Sequence, residues 1–136
     1  MQILMDTGPW VALLDRSEDR HHECVEWFSQ FKGEIFTTEA ILTEVLYLLN
    51  FSSTAQSAAL DFVISGAMTL VPSSIESLRR VKNLMKRYED LPMDFADATI
   101  VILAHDLGIR HVGTFDKKHF SIYRSPGKQP FLVLPS

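Results

Sequence analysis

The stretch Ile3-Leu4-Met5-Asp6-Thr7-Gly8-Pro9-Trp10-Val11-Ala12-Leu13-Leu14 sets a single carboxylate between two apolar runs near the start of the chain. Residues 2–6 read as a buried strand, and Gly8-Pro9 suits a turn into a helix with proline near its first position. A strand feeding directly into a helix is half of a β–α unit, and an aspartate at the junction suggests a metal ligand at the edge of an α/β sheet. Asp6-Thr7-Gly8 alone also matches the active-site loop of aspartic proteases. The rest of the chain decides between the two.

Beyond this unit the alternation continues. A helix is expected over residues 21–31, with Val25, Phe28 and Phe31 toward a core and Gly33 as its stop. Residues 34–38 read as a strand, Thr38 as the cap of a helix over residues 40–49, and residues 54–65 as a further helix. After Gly66, residues 67–71 form a third strand. Ser73-Ser74-Ile75-Glu76 offers a capping box for a basic amphipathic helix that ends near Tyr88, before the break at Leu91-Pro92. Met93-Asp94-Phe95-Ala96-Asp97-Ala98 opens another helix, apolar through Leu103 and stopped by Gly108. Residues 111–115 are a fourth strand, and after a turn at Ser125-Pro126-Gly127 the run 131–134 fits an edge strand. Strands separated by helices require crossovers. The expected fold is therefore a three-layer α/β/α domain around a mainly parallel sheet of four to five strands, covered on both faces.

The chain of 136 residues, 46% of them hydrophobic, fits one domain over residues 1–136 with a real core. No apolar run approaches the ~18 residues of a membrane span, and the N-terminus lacks the pattern of a signal peptide, so a cytoplasmic protein without membrane contact is expected. A lone cysteine, Cys24, rules out an internal disulfide framework and a thiolate metal cage. The net charge of −4 argues against a strongly basic, nonspecific nucleic-acid binder. The charge is uneven, however: residues 1–73 hold three basic and ten acidic side chains, residues 74–136 ten basic and seven acidic. The basic stretch Arg79, Arg80, Lys82, Lys86 and Arg87 reads equally well as a solvated helix face or a phosphate-contacting surface.

In a parallel α/β sheet, ligands sit beyond the carboxyl ends of the strands. Asp6 follows strand one and Asp116 follows strand four, so both belong at that edge. Glu44 falls in the second turn of the helix after strand two, among apolar neighbours where a lone carboxylate is costly without a partner or a cavity. Asp94 and Asp97 share one face of a helix's first turn. Taken singly, each has an ordinary reading as a cap, first-turn charge or turn residue, and the cap is the better reading for Asp94. Taken together, Asp6, Glu44, Asp97 and Asp116 come from separate regions to one sheet edge, where only a multivalent cation, protonation or a basic partner makes such crowding tolerable. An all-oxygen set without paired His or Cys suits Mg²⁺ or Mn²⁺ and disfavours zinc. Such an ion activates a water and steadies the charge of an in-line displacement, so the expected reaction is phosphodiester hydrolysis.

The order Met5-Asp6-Thr7, Thr43-Glu44-Val45, Phe95-Ala96-Asp97-Ala98 and Thr114-Phe115-Asp116-Lys117-Lys118-His119-Phe120 resembles the PIN-domain ribonucleases, in particular the VapC-like toxins of type II toxin–antitoxin systems. The similarity spans nearly the whole chain, including Asp19, His22 and the C-terminal Leu-Val-Leu-Pro. It implies a Mg²⁺-dependent endoribonuclease acting on RNA, usually a homodimer, inhibited by a small antitoxin that occupies the acidic pocket. Carried over residue by residue, the acidic quartet is Asp6, Glu44, Asp97 and Asp116, supported by the Thr114 hydroxyl, with Asp94 a common but not fixed companion.

Competing readings fit less well. An aspartic protease needs two Asp loops in a β-rich fold, and here one Asp-Thr-Gly is followed by helix. A phosphoaspartyl phosphatase calls for a second Asp two residues after the first, where this chain has Gly8. A phosphoacceptor signalling domain calls for an acceptor Asp after a central strand, and strand three ends in Val71-Pro72-Ser73. Outside the enzymes, the rival is an inactive PIN-like module that holds a basic partner in its acidic pocket; the intact quartet argues against it. His21-His22-Glu23-Cys24 points in several directions on a helix and is a poor metal site. Trp10, Trp27 and the phenylalanines fall at core spacing. The apolar excess of residues 40–49 and 54–64 marks the expected dimer face.

Overall fold

Strand β1 (Gln2–Met5) carries Ile3, Leu4 and Met5, all fully buried, because it is the centre of a sheet covered on both sides. The computed structural model describes residues 1–91 and 93–135. From β1 the chain enters α1 (Thr7–Leu14), crosses through α2 (His21–Gln30) and returns as β2 (Glu34–Thr38). Helices α3 (Glu39–Leu48) and α4 (Ser53–Ile64) lead to β3 (Thr69–Val71), and α5 (Ile75–Arg87) and α6 (Phe95–Leu107) lead to β4 (His111–Gly113). A short α7 (Lys117–Phe120) follows. A small antiparallel pair comes next, β5 (Arg124–Ser125) with β6 (Gln129–Pro130), joined by one 3₁₀ turn, and β7 (Leu132–Leu134) is the last strand.

The five-stranded sheet runs β3-β2-β1-β4-β7, and every pairing in it is parallel. The expected α/β fold with a mainly parallel sheet is thus present, and Leu132–Leu134, within the expected run 131–134, supply the edge strand beside β4. Leu4 pairs with Phe36 on one side and Val112 on the other, so the carboxyl ends of β2, β1 and β4 open on one edge. Among the described residues, no helix is long and apolar enough to cross a membrane.

Three local expectations are corrected. Strand four stops at Gly113 rather than residue 115, because the Thr114 hydroxyl accepts the Asp116 amide at 3.0 Å and turns the chain out of the sheet. The capping box of α5 lies one residue later than Ser73 and Glu76: Ser74 accepts from the Ser77 amide at 3.0 Å, and the Ser77 hydroxyl accepts from the Ser74 amide at 2.8 Å. Val25 faces solvent, and α2 packs instead through Cys24, Trp27 and Phe28, with Phe31 just beyond it. The proposed break at Pro92 lies outside the described residues; Gly108, in the left-handed region at φ 68°, ends α6 as expected.

Threonines lock α6 to the sheet edge. The Thr37 hydroxyl donates to the Met5 carbonyl at 2.9 Å, Thr38 and Thr99 share a buried hydroxyl contact at 2.9 Å, and Thr99 also donates to the Ala96 carbonyl. These bonds satisfy polar groups at the strand ends that burial would otherwise leave unpaired. Their consequence is positional: the first turn of α6, with Asp97, is pinned beside β1 and β2.

Candidate active site

Asp6 stands at the N-cap position of α1, yet its side chain caps nothing. It is buried, its amide donates to the Gly113 carbonyl at 2.9 Å, and its Oδ2 accepts from the Thr114 hydroxyl at 2.7 Å. Asp6 is therefore turned toward β4 and the segment behind it. Thr7 donates its hydroxyl to Glu44 Oε1 at 2.8 Å, which draws the only carboxylate of the middle of α3 over the same edge.

Asp97 lies in the first turn of α6, and its amide donates to Asp94 Oδ1 at 2.8 Å, so Asp94 is the helix cap. The Tyr123 hydroxyl approaches Asp97 Oδ2 at a long 3.4 Å. Asp116 caps α7 by accepting the His119 amide at 3.1 Å, and its Oδ2 meets His119 Nδ1 at 2.8 Å. Thr114, Asp6 and Asp116 are thus linked through one hydroxyl, which accepts from the Asp116 amide and donates to Asp6.

The carboxylates feel one another. Burial raises the Asp6 carboxyl to about 6; hydrogen bonds from Thr114 and the Thr7 amide oppose this, and the negative fields of Glu44 and Asp94 add to it. Burial likewise raises Asp97 to about 7, reinforced by Asp94, Asp6 and Asp116. Tyr123 is pushed well above the usual phenol range by burial and by Asp97, so it stays a hydroxyl donor. The five acids Asp6, Glu44, Asp94, Asp97 and Asp116 therefore form one electrostatic group. Among the described residues, no Lys or Arg pairs with any of them; the one basic side chain in contact is His119, whose Nδ1 meets Asp116.

This donor set fits a hard divalent cation: every candidate ligand is a carboxylate oxygen, and Asp6 and Asp97 are destabilised as anions by the burial and repulsion that a cation would relieve. Among the described residues, no three acidic, imidazole or thiolate side chains close on a single point, because each carboxylate is turned onto a neighbouring hydroxyl, amide or ring nitrogen.

Three participants had no assigned role in the sequence. Thr7 and His119 stand one and three residues from candidate acids, a spacing that a search for cap partners would have found. Tyr123 carries no such signal. It reaches Asp97 by packing against Tyr88 and Phe120, with ring centroids 5.2 and 5.3 Å away. Two other features lie apart from the site. His21 Nδ1 bonds the Ala12 carbonyl at 2.6 Å, tying α2 to α1, and Arg79 and Arg80 of α5 pair with Glu76 and Asp106.

The frame so described is a parallel α/β domain with a group of coupled carboxylates at the carboxyl edge of its sheet. The chain belongs to the PIN domain family, which matches residues 3–125. It is 26% identical over 135 residues to "Ribonuclease VapC26" of Mycobacterium tuberculosis (strain ATCC 25618 / H37Rv), spanning 98% of this chain and 100% of that protein. In fold it is similar to the crystal structure of VapC20 of Mycobacterium tuberculosis, described as a Sarcin-Ricin loop cleaving toxin, with a TM-score of 0.80, 23% identity and coverage of 85% of this chain and 91% of that one. It is also similar to VapBC2 of Rickettsia felis bound to a promoter DNA fragment, with a TM-score of 0.67, 17% identity and 98% of both chains covered. DNA-bound VapBC of Salmonella typhimurium gives a TM-score of 0.64 at 14% identity, again over 98% of both chains.

Proposed function

We propose that residues 1–136 form one PIN-like nuclease domain that hydrolyses RNA phosphodiester bonds with Mg²⁺, or Mn²⁺ in its place, as the toxin of a type II toxin–antitoxin pair. The observation that carries this reading is the shared field of Asp6, Glu44, Asp97 and Asp116 at one sheet edge, with Asp6 and Asp97 raised to about 6 and 7. Asp6, Asp97, Glu44 and Asp116 would hold the metal. When bound, the ion supplies charge for a phosphate oxygen and a lowered pKa for a water.

The chain's own groups set the rest. Thr114 fixes the rotamer of Asp6, Thr7 that of Glu44, and Tyr123 leans on Asp97. Asp116, held by His119, would complete or orient the metal's shell and help position the attacking water. In the reaction water adds to phosphorus, one P–O ester bond breaks, and the departing oxygen gains a proton. The likeness to a protein named ribonuclease, and to VapBC complexes, supports an RNA substrate and an antitoxin partner, which would bind over the acidic group.

A homodimer and a cytoplasmic location complete the proposal. Tyr47 and Leu48 of α3, Phe51 of the turn after it, and Leu60 and Ile64 of α4 make this region rich in exposed apolar side chains, which supports pairing there. The test is twofold: titration of the protein with Mg²⁺ by calorimetry, and fragmentation of a labelled mixed RNA pool with and without EDTA. Binding of the ion together with EDTA-sensitive cutting is expected; a protein that neither binds Mg²⁺ nor cuts RNA is instead an acidic-pocket binding module.

A further inference from the structure

Phe115 stands between Thr114 and Asp116 and packs hard against α1: a Cβ built on Gly8 would lie 2.8 Å from Phe115 Cδ2. Over the same ring lies the guanidinium of Arg20, 4.1 Å from the centroid. Arg20 is itself anchored at the start of α2, its carbonyl accepting the Cys24 amide at 3.0 Å. Its Nε and Nη2 fork onto Glu23 at 2.9 and 2.6 Å, and among the described residues Nη1 has no acceptor. Lys117, exposed, follows Asp116 directly in the chain and opens α7. A stacked, partly exposed arginine and an exposed lysine therefore flank the Phe115-Asp116 segment, next to a group of carboxylates that otherwise repels a polyanion.

We propose that Arg20 is a binding contact for an RNA backbone phosphate, with Lys117 as its second cation, holding the strand beside the carboxylate pocket. The inference rests on the nuclease reading above. Three features favour phosphate. A guanidinium stacked on an aromatic ring loses little freedom on binding, and its unpaired Nη1 is a charged donor for a phosphate oxygen. Glu23 keeps Arg20 extended over Phe115 in the free protein and leaves Nη1 for a ligand. Phe115 ties that position to the adjoining Asp116, so a phosphate on Arg20 is registered against the pocket.

The experiment measures binding of a labelled single-stranded RNA pool to the full chain across a salt series. Asp97→Asn is present in every arm to prevent cutting. Arg20→Gln is expected to weaken binding about five- to ten-fold and to reduce the slope of log affinity against log salt by about 0.7, the value of one phosphate contact on a single strand. Arg20→Lys keeps the slope and loses part of the affinity. Glu23→Gln, which frees Arg20 from its partner, binds RNA as well or better. If Arg20 only anchors α2, Arg20→Gln and Glu23→Gln lower the melting temperature and weaken binding alike with an unchanged slope, and the proposal is overturned. Tight binding with no effect of Arg20→Gln overturns it while leaving the nuclease reading intact. Absence of RNA binding in the Asp97→Asn background itself removes both.

Discussion

Thr114 Oγ1 lies 2.7 Å from Asp6 Oδ2, and the same oxygen accepts the Asp116 amide at 3.0 Å. One buried hydroxyl thus orients the Asp6 carboxylate and fixes the backbone of Asp116, joining two candidate ligands that are 110 residues apart in the chain.

That arrangement makes Thr114→Val informative. The side chain keeps its shape, but the Asp116 amide loses its acceptor and Asp6 its donor. A stability loss of about 1–3 kcal/mol is expected, because polar groups in a buried setting are left unpaired. Mg²⁺ affinity falls as well, whereas Thr114→Ser retains both. Chemical denaturation and calorimetry check this; a Thr114→Val protein with wild-type Mg²⁺ affinity contradicts the role given to the hydroxyl.

The raised carboxyls predict an inverted pH dependence for the metal-free protein. Asp97 titrates near 7 when folded and near 3.8 when unfolded, so the folded state holds the extra proton between those values. Stability then falls as pH rises through that window, with Asp6, at about 6, contributing in the same direction. Asp97→Asn removes the charge and stabilises the metal-free protein at pH 8 by about 1–2 kcal/mol after solvent screening, with the gain vanishing near pH 4. Melting curves in EDTA across pH give the answer, and a gain that does not depend on pH would refute the repulsion account.

Gly8→Ala tests the packing beneath Phe115. The added methyl meets the ring at 2.8 Å, so Phe115 must move or the α1 start must shift. Overpacking of this kind costs about 1–3 kcal/mol, and here it also displaces the link between Thr114 and Asp116. Pairing it with Phe115→Leu, which makes room, restores part of the stability; a double mutant no more stable than Gly8→Ala would place the strain elsewhere.

The apolar region of α3 and α4 carries the dimer prediction. Tyr47 is 71% exposed and Ile64 78%, unusual for large apolar side chains on two neighbouring helices. Tyr47→Glu with Ile64→Glu should give a monomer by light scattering with an unchanged fold. An unchanged mass removes this surface from the interface.

The sheet was legible because its strands are short apolar runs bounded by strong signals: Asp6 and Pro9 after β1, Gly33 before β2, Gly108 before β4. Asp6, Glu44, Asp97 and Asp116 could be placed on one edge because parallel topology alone decides which ends of the strands meet. Their hydrogen-bond partners were less accessible. Tyr123 approaches Asp97 only because an aromatic cluster with Tyr88 and Phe120 fixes its ring, and no periodicity encodes that. The end of β4 was misplaced for a related reason: the Thr114 side chain, not the apolar pattern, turns the chain at that point. The stack of Arg20 on Phe115 joins residues 95 apart and depends on the bare backbone of Gly8, a tertiary fact invisible to local reading.

The most direct test compares wild-type protein with Asp97→Asn, both folded and at equal concentration, in cleavage of a labelled RNA pool containing Mg²⁺. Discrete fragments are expected from the wild type, with a loss of at least about a hundred-fold in rate for Asp97→Asn, on the order of 3 kcal/mol of transition-state stabilisation. Equal cutting by the two proteins would contradict the assignment of the acidic pocket as the catalytic centre.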